Sequence, residues 1–289
     1  MLITTRDGRH LQVEIYGPPE GVPLVFHNTT PGSAVPYPAL QRAAWENDVR
    51  LVTFARAGYG RSTRLPGRAV VDAAADVEDI LDHMNADRCV VLGWSGGGPH
   101  ALATAARLTG RVAAVASVSG FAPFDAEDLD FDAGMGEANV QDFQHALQGA
   151  DAISPGHEAA AASMKFSDAE SVVNGLKSLL SEHDRSFLAV GTVAQDIADS
   201  LREGVQQGAA GWIDDDLAFV KPWGFSVNEI SVPAFVWQGG QDLMVPAGHG
   251  EWLARHIPQS VAHLYKNKGH FSIALGLTRV IVQELCEAL

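Results

Sequence analysis

Residues 89–100 read Cys89-Val90-Val91-Leu92-Gly93-Trp94-Ser95-Gly96-Gly97-Gly98-Pro99-His100. Strand-favouring residues Cys89–Leu92 run into Gly-x-Ser-x-Gly, and alanine-rich helical sequence follows from Ala101. That order predicts a serine on a sharp strand-to-helix turn, its hydroxyl projecting beyond the end of a sheet and able to attack a carbonyl. The turn forces strained backbone on the serine, so the residues two positions away on each side must be small. The helix that begins just after Ser95 aims unpaired N–H groups and the positive end of its dipole at the point where an oxyanion would form. The five-residue pattern alone arises by chance in roughly one chain in ten of this length. Its meaning therefore depends on a base, an acid and a second oxyanion donor elsewhere.

Working outward, Asp7-Gly8 between Leu2–Thr5 and Leu11–Tyr16 predicts an N-terminal hairpin. Further strands are expected at Pro23–His27, Arg50–Ala55, Val112–Val118, Val232–Trp237 and Val261–Tyr265. Helices are expected at Ala39–Asp48, Val70–Met84, Ala101–Leu108, Gly248–His256 and Leu277–Leu289. Strands alternating with helices imply a parallel sheet covered on both faces. The alternation stops between about Phe121 and Phe225, where short alanine-rich helices are expected. Their joints are expected at Gly134-Met135-Gly136, Gly149, Pro155-Gly156 and Asp214-Asp215-Asp216. This stretch reads as a helical insertion over the sheet, with no Pro/Ser-rich linker to mark an independent domain.

With 289 residues, 46% hydrophobic and 19% charged, the chain can bury one large α/β core. A net charge of −15 repels phosphate backbones and anionic lipid, which argues against nucleic-acid and membrane partners. The two cysteines, Cys89 and Cys286, suggest neither a disulfide nor a metal site and suit a reducing cytoplasm. The first residues lack the apolar core of a signal peptide. No metal or cofactor is expected. A small-molecule substrate is expected, and homo-oligomerisation is left open.

A serine hydroxyl needs a base, and the base needs an orienting carboxylate. Reactive groups in parallel sheets gather beyond the carboxyl ends of strands. Among eleven histidines, that filter keeps His27 and His270. His270 follows the Val261–Tyr265 strand, and Gly269 before it suits a tight turn. His100 lies on the helix after the serine, its side chain expected to point away. Asp242, in the glycine-rich loop after Val236-Trp237, is the first candidate for the acid, and Asp125 the second. The loop after Pro23–His27, Asn28-Thr29-Thr30-Pro31-Gly32, offers the N–H of Thr29 or Thr30 to complement that of Gly96. Pro31 has no N–H to give.

Together these stretches resemble the α/β-hydrolase superfamily over essentially the whole chain. Gly93–Ala101 resembles its serine elbow, and Gly239-Gly240-Gln241-Asp242-Leu243-Met244-Val245-Pro246 its acid loop. Gly269-His270 resembles its Gly-His loop. Arg56-Ala57-Gly58-Tyr59-Gly60-Arg61-Ser62 resembles its Arg-Pro-Gly-Tyr-Gly-x-Ser segment, with Ala57 replacing the proline. The order Ser95, Asp242, His270 matches the family order. The resemblance implies an eight-stranded, mostly parallel sheet with a helical cap inserted after the sixth strand. Residues 1–120 and 226–289 would form the core, and 121–225 the cap. One departure stands out: the family's His-Gly is here His27-Asn28. Alignment on Pro31-Gly32-Ser33 puts Thr29 at the glycine and Thr30 at the oxyanion donor.

The expectation is a serine hydrolase that cleaves a small ester through an acyl-enzyme formed by Ser95, His270 and Asp242. Glu203, Asp214, Asp215 and Asp216 leave open a proline-iminopeptidase-like activity, in which carboxylates hold a free amino group, or else form a solvated helix face. Carbon–carbon bond hydrolysis also stays open, as does a non-catalytic ligand-binding protein on the same fold. A dinucleotide enzyme is disfavoured, because no Gly-x-Gly-x-x-Gly follows the first strand. Trp94, Trp212 and Trp223 are the leading pocket-wall candidates, with Phe121, Phe124, Phe219 and Phe225 beside them.

Overall fold

Val25, Val52, Val91 and Val115 belong to one hydrophobic cluster, while Leu24, Leu51, Val90 and Ala116, their neighbours in sequence, belong to another. Successive side chains of a strand leave opposite faces, so the two clusters are the two sides of one buried sheet. Strands packed on both faces need no polar alternation, which is why Pro23–His27 and Cys89–Trp94 are buried throughout.

The computed structural model describes residues 1–289. Its sheet contains β1 (Leu2–Thr4), β2 (His10–Tyr16), β3 (Pro23–His27), β4 (Arg50–Phe54), β5 (Cys89–Trp94), β6 (Val112–Val118), β7 (Ala234–Gly239) and β8 (Ser260–Tyr265) in the order β1-β2-β4-β3-β5-β6-β7-β8. β2 pairs antiparallel with β1 and with β4, and every pairing from β4 to β8 is parallel. The fold is that of an α/β hydrolase. On one face lie α1 (Pro38–Glu46) and α12 (Thr278–Cys286), through Leu40, Ile281 and Leu285. On the other lie α2 (Ala73–His83), α3 (Gly97–Arg107) and α10 (Ala247–His256), through Ile80, Leu102 and Leu253. From β3 the chain moves to β4 on one side, and β5 adds on the other. The loops leaving β3 and β5 therefore diverge and open a crevice at their carboxyl ends.

Between β6 and β7 the chain forms α4 (Glu137–Gln148), α5 (Ala150–Met164), α6 (Ala169–Gly175), α7 (Glu182–Leu188), α8 (Val193–Gly204) and α9 (Ala210–Phe219). Gly149, at φ 104, is the joint between α4 and α5. Two expected joints are not joints. Pro155-Gly156 lies inside α5, where Pro155 and Asp151, whose carbonyl the proline leaves free, are both exposed. Asp214–Asp216 lies inside α9 and is buried. No helix is long and apolar enough to cross a membrane.

Candidate active site

Ser95 holds φ at 56°, the left-handed region that non-glycine residues seldom occupy. Flanking backbone fixes it there. Its N–H donates to Val118 O at the end of β6 (2.9 Å), and its carbonyl accepts from Gly98 N (2.8 Å). The neighbouring glycines are required by close approach. A Cβ on Gly93 would lie 2.7 Å from Ala101 Cβ and overlap Gly97 O, and one on Gly97 would overlap His27 O.

His270 is the first residue of α11 (His270–Ala274), a short helix where the sequence suggested a loop. Its Nδ1 lies 2.8 Å from Asp242 Oδ2. Asp242 Oδ1 accepts the N–H groups of Met244 and Val245, both at 2.9 Å, so the carboxylate is locked in orientation. A carboxylate only accepts, so Nδ1–H donates and Nε2 is left as an acceptor. The imidazole packs beside Trp94, with ring centroids 5.7 Å apart. Ser95 and His270 both line a cavity of about 310 Å³ that the cap covers.

The loop after β3 closes the opposite side. Thr29 N–H is taken by Asn28 Oδ1 (2.8 Å). The N–H groups of Thr30 and Gly96 donate to nothing within the chain. The two residues touch: a Cβ on Gly96 would sit 2.6 Å from Thr30 Cβ. With Thr29 N–H bonded to Asn28, Thr30 is the freer donor of the two threonines.

A buried charge network holds this loop. Arg56 donates to Asn28 O (2.5 Å), Thr29 O (2.9 Å) and Thr30 Oγ1 (2.8 Å). Asp215 of α9, fully buried, accepts from Arg56 (2.5 Å), Arg68 (2.5 Å), Tyr59 (2.9 Å) and Thr30 Oγ1 (2.8 Å). It also lies 3.4 Å from His100 Nε2, while His100 Nδ1 is 2.8 Å from Gly96 O. Burial pushes the Asp215 carboxyl up, but Arg56 and Arg68 more than reverse this and hold it well below the usual range. Burial, with Arg56 adding to it, lowers His100. One cap carboxylate therefore stands a single contact from Thr30 and two from Gly96.

Three of the four cap acids, Asp214, Asp215 and Asp216, are buried and paired and do not form a solvated face. Asp214 pairs with Arg64 (2.8 Å) and Arg68 (3.3 Å), Asp215 with Arg56 and Arg68, and Asp216 with His157 (2.6 Å). Sequence alone cannot supply those partners, the nearest of which is 59 positions away. Of the four acids singled out, only Asp216 lines the cavity, and Asp142, which was not, joins it. Burial raises Asp216 to about 6, and His157 only partly opposes the rise. Burial also raises Asp142.

Trp94, Trp212, Phe121 and Phe219 line the cavity. Trp223 does not: it is buried in the core and stacks on Phe225 at 5.8 Å. Phe124 and Phe225 lie outside the lining as well. His27 is wholly buried and bonded to Thr104 Oγ1 (3.0 Å), away from the serine. Asp125 is exposed, without a hydrogen-bonded partner. Sequence reading missed Asp142, Asp184 and the role of Arg56. Only Arg56 carried a signal, its place in the Arg-Ala-Gly-Tyr-Gly segment.

The fold places Ser95, Asp242 and His270 beyond the carboxyl ends of parallel strands. The family model described as alpha/beta hydrolase fold matches residues 22–277, and the chain belongs to that family. It is 35% identical over 105 residues to 3-oxoadipate enol-lactonase 1 of Acinetobacter baylyi, covering 35% of this chain and 38% of that one. It is 32% identical over 123 residues to a non-heme chloroperoxidase of Streptomyces lividans, covering 42% and 45%. The matches thus span less than half the length of these relatives. A hydrolase from Pseudomonas aeruginosa PA01 superposes with a TM-score of 0.72 at 18% identity, covering 100% of this chain and 97% of that one.

Proposed function

We propose that this α/β hydrolase cleaves small, uncharged or cationic esters through an acyl-enzyme on Ser95. The observation that carries the reading is the 2.8 Å bond from His270 to an orientation-locked Asp242, with His270 and the strained Ser95 facing one cavity. His270 Nε2 takes the proton of Ser95 as Oγ attacks the ester carbonyl. The N–H groups of Gly96 and Thr30 bind the oxyanion, and Asp242 stabilises the imidazolium. His270 then returns the proton to the departing alkoxide. Water, activated by the same imidazole, adds to the acyl-enzyme and releases the acid, leaving Ser95 free. Esters suit this arrangement best because an alkoxide departs with less help than an amide nitrogen, which must be protonated before it can leave.

The pocket's charge narrows the substrate. Its lining includes Asp142 and Asp216 but no lysine or arginine, and most of it is apolar. Arg56 and Arg68 face the Asp215 network instead. A substrate bearing a carboxylate would meet like charge in a largely desolvated cavity. That disfavours for this chain the enol-lactone of a dicarboxylic acid named for its Acinetobacter relative. A second reading keeps one supporting observation: Asp216 on the pocket wall would suit an aminopeptidase of the proline-iminopeptidase kind.

A fluorophosphonate probe, p-nitrophenyl butyrate, its succinate half-ester analogue and a set of amino-acid β-naphthylamides test the proposal together. Ser95 should be the labelled residue, and Ser95→Ala should abolish labelling and lower kcat on the butyrate at least about 10³-fold. The half-ester should be the poorer substrate by at least about tenfold in kcat/KM. No labelling and no turnover by folded protein sinks the reading and favours a ligand-binding protein, whereas undiminished activity in Ser95→Ala sinks Ser95 as the nucleophile. Preference for a free amino terminus replaces the esterase reading with the aminopeptidase one.

A further inference from the structure

The helix that begins at His270 is five residues long and cannot satisfy its own first N–H groups. A carboxylate 86 residues earlier does so. Asp184, on cap helix α7, accepts from His270 N through Oδ2 (2.8 Å) and from Phe271 N (3.1 Å) and Ser272 N (2.9 Å) through Oδ1. It is fully buried, and its two carboxylate oxygens are bonded to these three N–H groups. All the hydrogen bonding of its carboxylate goes to this one turn.

Gly269 makes the approach possible. Its φ is −105°, which any residue can adopt, so the turn itself does not demand glycine. A Cβ there would lie 2.5 Å from Asp184 Cγ and would overlap Asp184 Oδ2 and Ser181 Oγ. The glycine before the histidine is therefore a seat for the cap carboxylate. His270 is gripped at two points: Asp242 holds the ring through Nδ1, and Asp184 holds the backbone from which the ring projects.

We propose that Asp184 is a positioning residue for the catalytic base, so that the docked cap completes the triad as well as covering the pocket. The inference rests on the reading of His270 as the base of Ser95. Without Asp184 the first turn of α11 loses three acceptor contacts, and His270 Nε2 drifts from the serine. A misplacement of about 1 Å at a reacting group costs about 10²-fold in rate. The carboxylate touches no substrate, so the loss should fall on kcat and not on KM.

The test uses the full chain with Asp184→Ala, Asp184→Asn and Gly269→Ala, and Ser95→Ala and His270→Ala as reference. Gly269→Ala displaces the carboxylate without removing it, which keeps the test alive if Asp184→Ala fails to fold. We expect kcat on p-nitrophenyl butyrate to fall about 10²-fold in Asp184→Ala and Gly269→Ala, and by less in Asp184→Asn, which retains one oxygen acceptor. KM should stay within about twofold. Fluorophosphonate labelling of Ser95 should slow in parallel, and the His270 Nδ1 proton resonance should broaden. If kcat, corrected for the folded fraction, stays within about twofold in the folded variants, or if only thermal stability changes, Asp184 is merely structural and the proposal is overturned. If His270→Ala or Ser95→Ala retains activity, the reading of the triad falls instead, and the two failures are told apart.

Discussion

Gly96→Ala is the sharpest probe of how the proposed oxyanion donors are held. Gly96 has φ −57° and ψ −15°, helical values that alanine accepts readily. On backbone entropy alone the substitution would stabilise by about 0.4–1 kcal/mol. The added methyl, however, would sit 2.6 Å from Thr30 Cβ and 3.1 Å from Phe219 Cζ, and would overlap Thr30 Oγ1. Carbon atoms rest at about 3.5–4.0 Å, so Thr30 or the elbow must move by about 1 Å. Thr30 cannot give easily, because Oγ1 is bonded at 2.8 Å to both Asp215 and Arg56, and Arg56 also holds the carbonyls of Asn28 and Thr29. The substitution keeps every N–H and moves only their spacing. We expect kcat on p-nitrophenyl butyrate to fall about 10²–10³-fold, the size of losing one oxyanion donor, with KM changed far less. Overpacking of about 1–3 kcal/mol should also lower the melting temperature by several degrees. Steady-state kinetics and a thermal melt read both. A kcat within about threefold of wild type, with a melting temperature equal or higher, would refute the rigidity assigned to the Thr30 loop.

Asp215→Asn should destabilise the fold by about 3–5 kcal/mol in urea denaturation, because Arg56 and Arg68 lose the charge that compensates their burial; a change under about 1 kcal/mol would show that the network is dispensable. The raised Asp216 should make stability depend on pH. Its folded state holds the proton more tightly than the unfolded chain, so its contribution is fully present below about pH 4 and is lost as pH rises through about 6. The shift from 3.8 to about 6 corresponds to a loss on the order of 3 kcal/mol across that window. Asp216→Asn should flatten this slope, and parallel stability curves for the two proteins between about pH 4 and 7 would contradict the assignment.

How much was legible in the chain follows from the range of each interaction. The elbow, the strand-end loops of Asp242 and His270, and the alternation of strand and helix were readable because each is set by residues close in sequence. The cap acids were misread for the opposite reason. Asp214, Asp215 and Asp216 look like a hydrated helix face in sequence, and their burial is tolerable only because Arg64, Arg56, Arg68 and His157 meet them across the fold. Trp223 was a pocket candidate by type, but only packing could assign it to the core. Gly269 looked like a turn residue, and the structure gives it a different reason, space for Asp184.

By itself, then, the sequence determined where reactive groups could leave the sheet, because a strained serine turn and glycine-lined strand ends are local demands of backbone geometry. Tertiary structure alone decided which of those groups are held and by what. Asp184 lies 86 positions from His270, and Asp215 lies 185 positions from Thr30. A buried carboxylate is stable only where donors converge on it from all sides, and that convergence exists only once the cap is packed on the sheet.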